Sequence, residues 1–436
     1  MFTNASPVYL ANPIFNIALG LNPVAIGVVL AIGRIWDAIT DPIVGHISDN
    51  TRSRWGRRRP YMFAGAILMG VSFAAMWWLP RGCTQSFYLG YFLFTLLSFY
   101  AGATLFIVPW NALGIELTSD YHERTRLFAG AGMMHKVAGV LAIWLYAIAQ
   151  LAVFQDVIEG IRFVGCLFGF LLIIICIIPP LLLKEPKEPK IIARNDQEPL
   201  WDAIKVVFSN RVLLKFSAAC LITMMSLTTV SSLGLYINIY YVYQGDKLAA
   251  GTMFGIFGTL FNALGFLAIP GILWLSRRLG KHRAMMVALG IVAFSAVIKF
   301  WLYTPAAPYL QLTTALLHAP GFAAYAILVG SMTADIVDYD ESLNGRRREA
   351  LIAAANGWIT KMGISLSYIF AGLVLNLTGF DAALGGEQTP GTIMGMRLLF
   401  CAIPAGGCGL ALLLLRDYPL TKARMDAIQA SRQRAC

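Results

Sequence analysis

Charge is scarce in this sequence. Asp, Glu, Lys and Arg make up 13% of its 436 residues, where a soluble domain carries about 25%. With 58% of residues hydrophobic, that scarcity excludes a soluble enzyme, a disordered chain and a nucleic-acid binder. A G-x-x-x-x-G-K-[ST] loop is also missing, so nucleotide-driven chemistry is not encoded. The histidines (46, 122, 135, 282 and 318) form no H-E-x-x-H pattern, and only His135, beside Lys136, invites a test. The cysteines (83, 166, 176, 220, 401, 408 and 436) are scattered without metal or C-x-x-C spacing. They read as small buried hydrophobes rather than a disulfide framework. Residues 1–20 lack a basic n-region, so no cleavable signal peptide is expected.

What the sequence has is long apolar runs. A membrane helix needs about 20 mostly apolar residues. Twelve such stretches lie near 5–20, 23–48, 61–80, 86–116, 127–154, 161–183, 211–241, 250–275, 284–303, 309–336, 350–377 and 392–415. If the segment 49–60 is cytoplasmic and the spans alternate, 26 of the 34 Lys and Arg residues fall on the cytoplasmic side and four on the other. One missed span would scramble that asymmetry, so it supports both the count and the orientation. The net charge of +11 is then mostly a topology signal. The first span is short and starts at the initiator, so a missing upstream stretch is expected.

The two halves echo each other. SRWGRRRP (53–60) pairs with SRRLGKHR (276–283), which places Gly56 and Gly280 in corresponding loops. ERTRLFAG (123–130) pairs with GRRREALI (345–352) at nearly the same offset. The expected organisation is therefore a six-helix bundle over 1–183, a linker over 184–210, a second six-helix bundle over 211–415, and a cytoplasmic tail over 416–436. The linker is polar and Pro-rich, then amphipathic, and predicts a surface helix. Six plus six parallel repeats is the layout of major facilitator transporters.

A charge inside a membrane costs about 2.5–3.5 kcal/mol on insertion scales, so it needs a partner or a role. Arg34, Asp37 and Asp41 share one face of span 2. Lys136 in span 5 and Lys361 in span 11 fall at a similar depth, so the side chains of Asp37, Asp41, Lys136 and Lys361 are expected to border one central cavity. Lys299 lies near the outer end of span 9 and is expected to snorkel. Two carboxylates one turn apart repel, and a proton or a cation relieves that repulsion. The competing reading is a static network that locks the helices together. Pro42, Pro109, Pro270, Pro320 and Pro404 interrupt spans, as transporters tolerate around cavities.

GRIWDAITDPIVGHISDNTRSRWGRRRP (33–60) resembles the signature of the glycoside–pentoside–hexuronide:cation symporters, the melibiose-permease group of the major facilitator superfamily. VPWNALGIELTSDYHERTRL (108–127), MTADIVDYDESLNGRRREAL (332–351) and the lysine of WITKMG (358–363) agree with it. The resemblance implies an all-α membrane protein of the major facilitator fold, with twelve transmembrane helices in two six-helix bundles. It implies that Asp37 and Asp41 bind the coupling ion, H⁺ or Na⁺, with Lys361 beside them and Arg34 as a further charge partner. It implies a cytoplasmic gate of Gly45, Asp49 and Arg54, with Asp335, Asp338 and Arg347 in the matching stretch of the second half. Asp49 is placed to meet the amino end of span 11.

The sequence also departs from the melibiose-permease pattern. Ile107 stands for an aspartate of span 4, and Gly132 for a sugar-binding arginine of span 5. Galactoside binding of that type is therefore not carried over, and a third hard ligand for sodium is missing. Lys136 is an extra charge and a substrate candidate. Trp110, Asn111, Tyr236, Asn356 and Trp358 are further candidates for stacking on or hydrogen bonding to a glycoside. The expected function is cation-coupled symport of a sugar or sugar derivative by a monomer in the inner membrane, with both termini cytoplasmic. Its partners are a small carbohydrate and membrane lipid, with no nucleic acid and no cofactor. The alternatives are an exporter or lipid-like solute carrier on the same fold, and a receptor that does not transport.

Overall fold

The computed structural model describes residues 2–116, 121–183, 185, 210–344, 348–422, 424, 425, 427 and 428. Among them every regular element is helical. In the first half α1 (Phe2–Ala11) runs into a π-helical stretch (Asn12–Ala18). It is followed by α2 (Pro23–Asn50), α3 (Arg59–Trp77), α4 (Gln85–Glu116), α5 (Tyr121–Ala149) and α6 (Val157–Leu182). The second half holds α7 (Arg211–Ile237), α8 (Lys247–Leu267), α9 (Ile269–Leu279), α10 (Lys281–Leu302), α11 (Thr313–Asn344), α12 (Glu349–Leu377) and α13 (Pro390–Leu415).

Local chemistry sets the helix starts. Asn22, Asp156, Asn210, Asp246 and Thr389 each accept backbone N–H bonds as N-caps, and Pro23 and Pro390 follow two of them in the first turn. Ten of the described helical stretches are long and apolar enough to cross a membrane. The stretches expected as spans 1 and 5 fall short of that measure. The first is a short helix with a π turn, and only Lys136–Ala149 of α5 is continuously apolar. The stretch expected as one span over 250–275 is broken at Ala268, and Pro270 sits in the first turn of α9. Most of the expected linker helix lies outside the described residues.

Call the end carrying the 51–58 loop and the α9–α10 junction the basic end. Gly56 (φ 106°) and Gly280 (φ 81°) both take the positive φ that favours glycine. The pairing of these loops in the sequence is thus matched in backbone geometry. Glu185, just beyond α6, accepts from the backbone N–H groups of Arg57, Arg58 and Arg59 at 2.9–3.0 Å. A carboxylate there suits the positive end of α3.

The apolar cores are unevenly shared. One large core lies at the far end and draws residues from both halves, among them Phe15, Trp77, Tyr146, Tyr236, Leu375 and Phe400. At the basic end each half keeps its own core. Met62, Ala66, Phe106 and Leu113 form one, and residues of α7, α10, α11, α12 and α13 the other. The two halves are therefore sealed together at the far end. The α2–α12 crossing there is tight: a side chain at Gly27 would strike the Tyr368 backbone, and one at Gly372 the Pro23 backbone. On the other side of the bundle α5 meets α8, where Trp144 Nε1 donates to Thr259 Oγ1 at 3.0 Å.

Candidate functional site

The α2–α12 crossing also carries a cluster of charges. Arg34, Asp37 and Asp41 occupy one face of α2, and Lys361 reaches them from α12. Lys361 Nζ lies 3.1 Å from Asp37 Oδ2 and 2.6 Å from Asp41 Oδ2. Arg34 Nη1 lies 3.6 Å from Asp37 Oδ2, and its guanidinium sits over the Tyr100 ring. Arg34 and Asp37 are buried; Asp41 and Lys361 are about one-third exposed, at 34% and 29% of the side chain. With both carboxylates and both basic groups ionised, the cluster is neutral overall, which lowers the cost of holding it inside a membrane.

The sequence reading missed one member. Thr104 of α4 donates from Oγ1 to Asp37 Oδ1 at 3.4 Å or to Asp41 Oδ1 at 3.2 Å, and meets Thr40 Oγ1 at 3.2 Å. Ile107, one turn further along α4, packs among apolar side chains. The third oxygen on α4 thus comes from Thr104, one turn before the position where the resemblance led us to look. Threonine is common in membrane helices, so its type alone gave no signal. Pro42 follows Asp41 and cannot donate to the Ala38 carbonyl, which frees the helix to bend beside the carboxylates. Among the described residues no three His, Cys, Asp or Glu side chains converge. Among the described side chains the hard oxygens gathered here are the two carboxylates and the hydroxyls of Thr104 and Thr40.

Beside this cluster lies a cavity of about 420 Å³ lined by both halves. Arg34 and Lys136 come from the first half, Lys299 and His318 from the second, with Phe254, Phe257, Phe261, Phe322 and Phe400 forming apolar wall. Asp37, Asp41 and Lys361 were expected to border the cavity together with Lys136, but they stand outside its lining. Arg34 belongs to both the cavity wall and the ion-pair cluster. Lys299 does not snorkel: it is 5% exposed and faces the cavity. Position along a helix gives depth, whereas the direction a side chain faces depends on packing.

The substrate candidates separate by position. Tyr236 borders the cavity, but its hydroxyl is engaged by Asn16 Oδ1 at 2.8 Å. Trp110 stacks on Phe106 within the basic-end core, and Asn111 is exposed. Asn356 is buried and donates to Thr333 Oγ1 at 3.2 Å. Trp110, Asn111, Asn356 and Trp358 are all outside the cavity lining. The His135 side chain lies outside the described residues.

Of the gate candidates, Asp49 and Asp335 each pair within their own half. Asp49 is bonded to Arg58, with Oδ1 2.7 Å from Nη2 and 3.1 Å from Nε, rather than to the amino end of α12. Gly45 faces Val108, and Arg54 lies in the exposed turn of the 51–58 loop. In the second half Lys281 pairs with Asp335 at 2.6 Å, and Arg348 with Asp340 at 2.8 Å. Asp338 lies on α11, and Arg347 lies outside the described residues. These pairs stay within their own halves, as expected where the halves have no common core.

A family model described as MFS/sugar transport protein matches residues 1–422. The putative glycoside/cation symporter YagG of Escherichia coli strain K12 is 25% identical, over 96% of this chain and 88% of its own length. The glucuronide carrier protein homolog of the same organism is 24% identical, over 94% of this chain and 87% of its own length. Among solved structures, a bacterial homolog of the human lysosomal transporter Spinster, inward-facing and unoccupied, aligns with a TM-score of 0.74. That alignment covers 96% of this chain and 94% of the other at 14% identity, a likeness of fold alone.

Proposed function

Because this chain belongs to the MFS/sugar transport protein family, and is an integral membrane transporter rather than an enzyme, we propose that it is a symporter. It couples H⁺ or Na⁺ to the movement of a sugar or sugar derivative. The observation that carries the reading is the pair of α2 carboxylates held by a lysine of the other half. In the empty carrier Lys361 stands in for the coupling ion. An arriving ion competes for the same oxygens, releases Lys361 and weakens the tie between α2 and α12. Occupancy thereby biases one arrangement of the two halves. Arg34 links that event to the cavity, since it pairs with Asp37 and also lines the space a solute would fill.

On this reading the basic end is cytoplasmic and the present arrangement faces inward. The protein acts as a monomer in the inner membrane, with both termini cytoplasmic, surrounded by lipid. When the basic end closes, Asp49, Arg54, Asp335, Asp338 and Arg347 come together as a gate, with Gly45 allowing the close approach. A second reading, a carrier for an amphiphilic lipid-like solute, is favoured by the five phenylalanines of the cavity wall. The test is uptake into proteoliposomes with an imposed proton or sodium gradient. A panel of glycosides, pentosides and uronides is run beside lysophospholipids. Gradient-stimulated accumulation of a carbohydrate supports symport; binding without flux favours a receptor.

A further inference from the structure

Among the described residues Lys299 is a buried cation without a carboxylate partner. It lies on α10, 5% exposed, and lines the cavity. Its ammonium sits 5.2 Å from the centre of the Phe400 ring. Among the described residues it has no ion-pair partner, and no Asp or Glu lines the cavity. A ring face returns only part of what an ammonium loses on leaving water. Retaining such a charge is costly unless a ligand completes it.

A second group points the same way. His318 of α11 also lines the cavity, and its Nδ1 lies 3.0 Å from Ser295 Oγ. Ser295 carries one hydroxyl proton, with the Val292 carbonyl at 2.8 Å and His318 Nδ1 at 3.0 Å as its two acceptors. When the proton goes to Nδ1, the neutral ring carries its own proton on Nε2, which is then free to donate to an oxyanion. Ser295 and Lys299 are one turn apart on α10, so the histidine is held on the lysine's side of the wall. From the other half Lys136 reaches the same cavity, also without an ion-pair partner among the described residues.

We propose that Lys299 and His318 bind an oxyanion of the transported solute, a carboxylate or a phosphate, and that Lys136 meets it from the opposite half. The proposal rests on the chain being a solute carrier, as argued above. The phenylalanines around these groups suit the ring or chain to which the anion is attached. An anion shared by lysines of both halves draws them together. Solute binding then favours closure of the cavity, while the ion at Asp37 and Asp41 releases the lysine that holds it open.

The test is equilibrium binding to the purified full-length chain with matched probes. Phenyl β-glucuronide is compared with phenyl β-glucoside, and octanoyl lysophosphatidic acid with octanoyl glycerol. At least one acid is expected to bind about tenfold or more tightly than its neutral twin. Whichever acid is preferred identifies the source of the oxyanion. Lys299→Gln should abolish the preference and Lys299→Arg keep most of it. The ligand-free Lys299→Gln protein should melt no lower than wild type, because an uncompensated charge has been removed. Equal binding of acids and neutral twins, a preference that survives Lys299→Gln, or no binding of either acid overturns the proposal. Cation-stimulated uptake of a neutral glycoside would overturn it while leaving symport intact. Acid binding that ignores H⁺ and Na⁺ would do the reverse.

Discussion

Lys361 Nζ of α12 lies 2.6 Å from Asp41 Oδ2 of α2, so an ion pair joins the two halves at their crossing. Below it, towards the far end, the crossing is locked by backbone contact. Above it, towards the basic end, the halves have separate cores. The pair thus sits where the sealed part of the interface gives way to the open part, and breaking it changes how the halves are held.

Removing the lysine alone should be worse than removing both charges. Lys361→Met leaves two carboxylates one turn apart with Arg34 as the nearest cation. It should lower stability by about 1–3 kcal/mol, and Lys361→Met with Asp41→Asn should regain most of that. Thermal unfolding of the two single variants and the double variant measures the coupling. Additive losses would show that Lys361 and Asp41 do not interact energetically.

Thr104 should matter through its oxygen. Thr104→Val keeps the shape but removes the donor to Asp37 and Asp41, and should weaken the coupling ion by about tenfold. Thr104→Ser should restore most of the affinity. The midpoint of ion-dependent uptake is the readout, and equal midpoints for Val and Ser would remove Thr104 from the site.

Far-end closure depends on bare backbone at the crossing. Gly27→Ala puts a methyl group against the Tyr368 backbone, which a flexible side chain could evade but a carbonyl cannot. The change should cost about 1–3 kcal/mol of closure. Leu375, 1% exposed in the far-end core, reports on it. In a Leu375→Cys background, Gly27→Ala should speed labelling by an impermeant maleimide several-fold. An unchanged rate would mean that this crossing does not set the closure.

The coupling candidates could be read in the sequence because ionised groups are rare in apolar stretches. Asp37, Asp41 and Lys361 each stood out singly, and their spacing and depth brought them together. The apolar runs expected from 23 and 211 begin where α2 and α7 begin, at Pro23 and Arg211. Azimuth was not legible. Depth alone predicts that Lys299 snorkels, and residue type alone makes Trp110 and Asn356 solute candidates, yet packing turns Lys299 inward and the other two away from the cavity. Pro270 marks an interruption of the 250–275 run, but apolar residues continue on both sides of it, so hydropathy does not show that the span divides into two helices at Ala268.

The central claim is that Asp37 and Asp41 couple ion binding to solute movement, and gradient-driven accumulation in proteoliposomes tests it most directly. With wild-type protein and a transported solute, the imposed gradient should drive uptake above equilibrium. Asp37→Asn and Asp41→Asn should each abolish that accumulation, with counterflow exchange retained. Accumulation against a concentration gradient at wild-type levels in both variants would contradict the account.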